Sequence, residues 1–281
     1  MGRISKSIEL AKASWNVLKA DKELLALPVI SGLASVVVAA TFIIPLFAAG
    51  SLEEDGLTGT GMIALLVMYV ALAYVTIFFN AALVSAAHER LTGGDPTLSS
   101  AIAGARSRAL KILPWAIVSA TVSIILRAIE ERAGFVGQLV AGLAGMAWAV
   151  VTFLVLPIIV IEGIGVRDAI SKSSNMFRRT WGENLAAQVG FSIIGFIAVL
   201  PAIAIIALGI NAGSGAAVVS VVLGVAWLIT VTVVMSALGV VFQTALYHYA
   251  VDGAVPSSHF DGELMRSAFG PKRSTGRGII G

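Results

Sequence analysis

The residues of this chain best able to do chemistry are polar groups set in or beside long apolar runs: Asn80, Gln188, Gln243, Tyr247, and Glu162 with Arg167 five places on. An ionised carboxylate below the lipid headgroups costs roughly 3 kcal/mol unless it is paired, protonated or hydrated. Glu162 therefore suggests either a proton or cation relay, or a structural pin folded back onto Arg167 or onto a basic side chain of a neighbouring surface helix. The amides need no ligand to explain them, because a hydrogen bond across to another helix stabilises by about 0.6–2 kcal/mol. These six residues form the candidate polar membrane site.

Other chemistry is not encoded in recognisable form. His88, His248 and His259 stand singly in the sequence, with no HExxH pair to place two imidazoles on one helix face. The chain has no cysteine, and so no thiol nucleophile and no thiolate metal ligand. No GxxxxGK[ST] loop is present to cradle a nucleotide. Ser214, in a Gly-Ser-Gly turn, is the one serine suggestive of a nucleophile. It lies roughly 50 Å from His248 along a straight helix, far beyond hydrogen-bond reach. No enzymatic activity, no cofactor and no metal are expected.

The elements that must position the polar groups follow from composition. The chain is 58% hydrophobic and 12% charged, with a mean hydropathy of +0.94. That charged share is about half of what a soluble domain carries. The apolar runs are continuous, not alternating, and near the roughly 20 residues that cross a bilayer as a helix, so an all-α bundle is expected and a barrel is not. Six transmembrane helices are read at about 24–49, 62–87, 112–129, 136–161, 185–210 and 216–250. Pro114 is placed in the first turn of the third, where it costs no hydrogen bond, and Pro201 is expected to kink the fifth. The sixth exceeds a span by some ten residues and should tilt or project.

Between the spans the charges are lopsided. Of 19 Lys and Arg, only Arg127 and Arg132 fall on the side that also carries the acidic loop Glu53–Asp55. Under the positive-inside rule this places both termini in the cytoplasm of a multi-pass cell-membrane protein. Three amphipathic segments lie on the basic side. Residues 3–22, read as a surface helix and not as a signal peptide, present Ile4, Ile8, Ala11, Trp15 and Leu18 on one face; residues 97–109 and 166–181 behave alike. Glycines 163 and 165 give the backbone freedom to turn the fourth span into the third of these. Each segment precedes a pair of spans. Aligning Ser7, Ala101 and Ala169, then Ala11, Ala105 and Ser173, suggests three repeats of surface helix plus hairpin. The domain division expected is a membrane domain over 1–253 and a cytoplasmic tail over 254–281, a short helix followed by a disordered basic end.

Glu162-Gly163, Ala169-Ile170, Ser173 and Trp181-Gly182 resemble the cytoplasmic-loop pattern of bacterial six-span proteins related to the membrane domain of glycerophosphodiester phosphodiesterases. The run Phe242 to Ala250, with Gly253 and Pro256, resembles an uncharacterised membrane-protein family of actinobacteria and archaea. The resemblance implies a fold and a membrane location, with no activity and no catalytic residues to carry over; His248 stands where that family suggests an arginine.

Two functional classes remain in competition. One is a non-enzymatic membrane factor that organises lipid or binds a partner; the other is a small transporter or permease component built on Glu162, the amides and Pro201. An intramembrane enzyme is a distant third. The partners expected are membrane lipids with anionic headgroups on the cytoplasmic side, with no nucleic acid; a protein partner or a second copy of the chain is left open.

Overall fold

In hydrocarbon every backbone N–H and C=O must find its partner within the protein, so continuous apolar runs become helices. The computed structural model describes residues 3–50, 58–132, 134–181, 186–211 and 214–253, with the side chains at 3–7, 135–136, 178–181, 186–193, 211 and 214 left aside. Among these residues there are helices and turns and no strand. The acidic loop Glu53–Asp55 and the tail from 254 lie outside them.

Helix α1 (Arg3–Ala20) and a 3-10 turn (Lys22–Leu25) lead into α2 (Ala26–Ala48) and α3 (Gly59–Leu91). Helix α4 (Leu98–Ser107) leads into α5 (Ala109–Arg132), α6 (Gly134–Thr152) and α7 (Val155–Glu162). Helix α8 (Val166–Trp181) leads into α9 (Ala186–Asn211) and α10 (Ser214–Asp252). The stretches Lys22–Ala48, Gly59–Leu91, Ala109–Arg132, Gly137–Glu162 and Gly215–Asp252 are long and apolar enough to cross a membrane. Helix α9 adds the apolar segment Ile194–Ile210 and, at 26 residues, extends about 39 Å. The protein is a membrane-embedded all-α bundle with apolar helices where the hydropathy places them.

Three hairpins pack side by side: α2 on α3, α5 on α6, and α9 on α10. Small residues set the closest approaches. A Cβ at Gly209 would lie 1.8 Å from Ser220 Oγ, and one at Gly224 would lie 2.4 Å from Ile206 Cγ1, so only glycine lets α9 and α10 come so near. Pro201 interrupts the α9 backbone ladder, and the indole Nε1 of Trp227 donates to the nearby Ala198 carbonyl at 2.8 Å.

The buried core is concentrated at the end of the bundle that carries α1, α4 and α8. It comprises Leu10, Val17 and Leu18 of α1, the Ala81–Ala87 stretch of α3, Ala101 and Ala105 of α4, nearly all of α7, and α10 from Ala237 to Tyr249. Elsewhere Leu33, Val36, Ile63, Leu143, Phe196 and Val218 are exposed, as side chains meant for lipid should be. The extra length of α10 does not project freely: its last turns are enclosed by α1, α3 and α7.

The structure corrects three expectations. The face of α1 buried in the protein is Leu10, Ala13, Ser14, Val17 and Leu18, of which only Leu18 belongs to the face read from the sequence, while Ile8 is 41% exposed; the helix packs against α9 and α10. The aligned residues Ala101, Ala169, Ala105 and Ser173 are all buried, whereas Ala11, set against Ala105 and Ser173 in the sequence alignment, is only half-buried in α1. Finally, α5 begins at Ala109, which puts Pro114 inside the helix. The capping box of Thr97 and Ser100 starts α4, and Arg108 closes it so tightly that α5 resumes at once.

Helix α4 is seated on α3 through Gly104, where a Cβ would fall 1.9 Å from Ser85 Oγ and 2.7 Å from Ser85 Cβ. Gly104→Leu should therefore lift α4 off α3 and cost about 1–3 kcal/mol, read as a lower midpoint of thermal unfolding in detergent. Gly142→Ala, which meets nothing within 4 Å, should leave the midpoint unchanged.

Candidate functional site

The fourth apolar run is broken where the sequence reading had it continuous. Pro157 has no N–H, so the carbonyl of Phe153 loses the donor that an unbroken helix would give it. The chain opens there. The Thr152 hydroxyl bonds back to the Trp148 carbonyl at 2.7 Å, and the Phe153 amide reaches only to Val150, three residues back, at 3.4 Å. The groups released by the break find partners on other helices: Gln243 of α10 donates its Nε2 hydrogen to the Phe153 carbonyl, and the Leu154 amide donates to Ser173 Oγ of α8 at 3.2 Å. Ser173 is 1% exposed and Leu154 3% exposed, so neither group has water as an alternative.

The far end of α7 is closed with equal care. Gly163, at φ +66°, supplies the left-handed residue that ends the helix, its amide bonding to the Ile159 carbonyl at 3.0 Å. Arg108 Nε donates to the Val160 carbonyl at 3.1 Å, and the Lys111 ammonium donates to the Gly163 carbonyl. Both cations stand at the negative end of the α7 dipole, the favourable end for positive charge.

Glu162, the last residue of α7, is at the end where a carboxylate is least favoured by that dipole, and its two oxygens are both engaged. Oε2 accepts from the Lys172 ammonium at 2.6 Å and Oε1 from the Tyr247 hydroxyl at 2.6 Å. The cation that pairs with Glu162 is thus Lys172 in place of Arg167. At about 100° per residue, Arg167 points roughly 160° away from the buried Ala169, whereas Lys172 is only about 60° from it. Arg167 is exposed accordingly. Glu162→Gln keeps an acceptor for Tyr247 and removes only the pairing with Lys172, whose side chain is 40% exposed. The expected loss is under about 1 kcal/mol in thermal unfolding, since solvent takes over the ammonium.

Of the other sequence candidates, Gln243 and Tyr247 join Glu162 around α7. Asn80 is half-buried in α3 and makes no side-chain hydrogen bond among the described residues. The side chain of Gln188 lies outside the described residues. Sequence reasoning missed Arg108, Lys111, Lys172 and Ser173 as partners of α7; the signal available was Pro157, which marks an orphaned carbonyl four residues earlier.

It also treated His88 and His248 as separate. They face one another across α3 and α10, Nδ1 to Nε2 at 2.9 Å, with ring planes 2° apart. The parallel rings, 5.0 Å between centroids, share one hydrogen between the two nitrogens, with the tautomer deciding which of them donates. His248 Nδ1 lies 3.5 Å from Asp252. Among the described residues no group of three or more His, Cys, Asp or Glu gathers to hold an ion. Alongside, Arg90 at the end of α3 takes Asp21 in a two-pronged pair and Asp95 at 2.5 Å, fastening the α1–α2 junction to α3.

A family model described as a family of unknown function, DUF6159, matches residues 59–257, well over half of the chain. The chain belongs to this family. No curated protein matches it significantly. The DUF6159 segment begins with α3 and ends just past α10, so it holds every residue that closes α7 as well as both paired histidines, and leaves out α1 and α2.

Proposed function

We propose that this DUF6159 protein is a non-enzymatic membrane factor that gathers anionic lipid at its basic end, which faces the cytoplasm of the cell membrane. The observation that carries this reading is a division of labour among polar groups. Gln243, Glu162, Arg108, Lys111 and Ser173 are engaged with α7 or its ends. By contrast Lys12, Lys19, Lys22, Arg106 and Arg167, on or beside all three surface helices, are exposed. Bases near an anionic leaflet contribute about 1 kcal/mol each, and docked helices hold them at a fixed spacing.

The test is thermal unfolding in detergent micelles doped with phosphatidylglycerol or with phosphatidylcholine. Phosphatidylglycerol should stabilise more, and replacing Lys12, Lys19, Arg106 and Arg167 together with glutamine should remove the difference. Equal stabilisation by the two lipids would overturn the reading. Sidedness is tested with a cysteine at Ser171, which is exposed on α8. An impermeant thiol reagent should reach it in inside-out vesicles and not in whole cells. Ser173 cannot serve for this, being 1% exposed.

Transport is the second reading, favoured by the break between α6 and α7, since discontinuous helices form the substrate sites of many transporters. Against it, the chain itself supplies the partners of the freed groups. Solute uptake by proteoliposomes that fails in empty vesicles would favour transport.

A further inference from the structure

Resting on the lipid reading and going beyond it, we propose that the groove between α8 and the end of α10 seats the headgroup of a phospholipid carrying a primary ammonium beside its phosphate. The groove has a volume of about 550 Å³, within the range of small-molecule sites. One wall is a stripe of α8, Asp168, Ser171, Lys172 and Asn175; Met176, Ala250 and Val251 complete it with apolar surface. It lies beside the start of α8, one turn beyond the Gly163–Gly165 break that ends the apolar α7.

The charges are arranged as a zwitterion requires. Asp168 and Lys172 are four apart on one helix, a spacing at which such residues ordinarily pair with each other. Here Lys172 turns to Glu162, 2.6 Å away, and Asp168 has no ion-pair partner among the described residues. The carboxylate of Asp168 is thus available to an ammonium, and Lys172, with two of its three N–H bonds not used by Glu162, is available to a phosphate. Ser171 and Asn175 add a hydroxyl and an amide donor on the same stripe. The apolar floor suits the glycerol end of the lipid. A primary ammonium can donate hydrogen bonds to Asp168, which the trimethylated ammonium of phosphatidylcholine cannot.

In mixed micelles, phosphatidylethanolamine should raise the unfolding midpoint by about 2–4 °C more than phosphatidylcholine does. Asp168→Asn should abolish that advantage while the response to phosphatidylglycerol stays at the parent level, and Asn175→Ala should reduce it. Both residues are exposed, so both variants should fold. The proposal is overturned if phosphatidylethanolamine does no better than phosphatidylcholine, if its advantage survives in Asp168→Asn, or if soluble phosphoethanolamine alone gives the full shift. Loss of the phosphatidylglycerol response in the parent would instead count against the function proposed above.

Discussion

Gly163→Val is expected to lower the unfolding midpoint by on the order of 10 °C, more than any other single substitution around α7. Two costs combine at this position. The residue sits at φ +66°, a conformation that a β-branched side chain adopts only under strain of about 1–3 kcal/mol. A Cβ there would also fall 2.6 Å from Arg108 Nη1 and 2.7 Å from its Cζ, displacing the guanidinium that bonds the Val160 carbonyl. Losing a charge-assisted bond and leaving a carbonyl at the C-terminus of α7 unpaired adds about 1.5–3 kcal/mol. Gly165→Ala is the matched control: nothing lies within 4 Å and its backbone is not left-handed, so the midpoint should hold. A Gly163→Val protein as stable as its parent would mean that Arg108 does not hold α7.

Gln243→Leu should be the second most damaging change, at about 1–3 kcal/mol, because it removes the side-chain amide that donates from α10 to the half-buried Phe153 carbonyl. Volume is nearly conserved, so the loss reports the hydrogen bond more than the packing. The decisive measurement is a double-mutant cycle with Pro157→Ala. Alanine restores the N–H at 157, which can then reach the Phe153 carbonyl four residues back and close the helix from within. In that background Gln243→Leu should cost less than half of what it costs alone. Equal costs in the two backgrounds would show that Gln243 acts through something other than the carbonyl that Pro157 orphans.

Both predictions concern α7, and neither follows from the hydropathy pattern that gave the spans. Composition and the length of the apolar runs sufficed for the class, the helices and the three pairings of surface helix with hairpin, because each is a local consequence of how an apolar stretch satisfies its own backbone in lipid. The stretch from Val155 onward was legible as an organising segment through Glu162, Gly163 and Gly165. Pro157 was equally visible, yet it stands in an unbroken apolar run, and periodicity cannot show that a carbonyl has lost its donor.

What the amino-acid sequence by itself determined is that this protein is a helical membrane bundle, since apolar length acts residue by residue along the chain. The tertiary structure alone decided who meets whom. Lys172 and not Arg167 takes Glu162, because helical rotation turns one toward the bundle and the other away from it. His88 meets His248 across 160 residues, and Gln243 meets Phe153 across 90, because the hairpins stack so that α3, α7 and α10 end together. Such partners are fixed by the rotation and stagger of packed helices, quantities that belong to pairs of elements and are written in neither one alone.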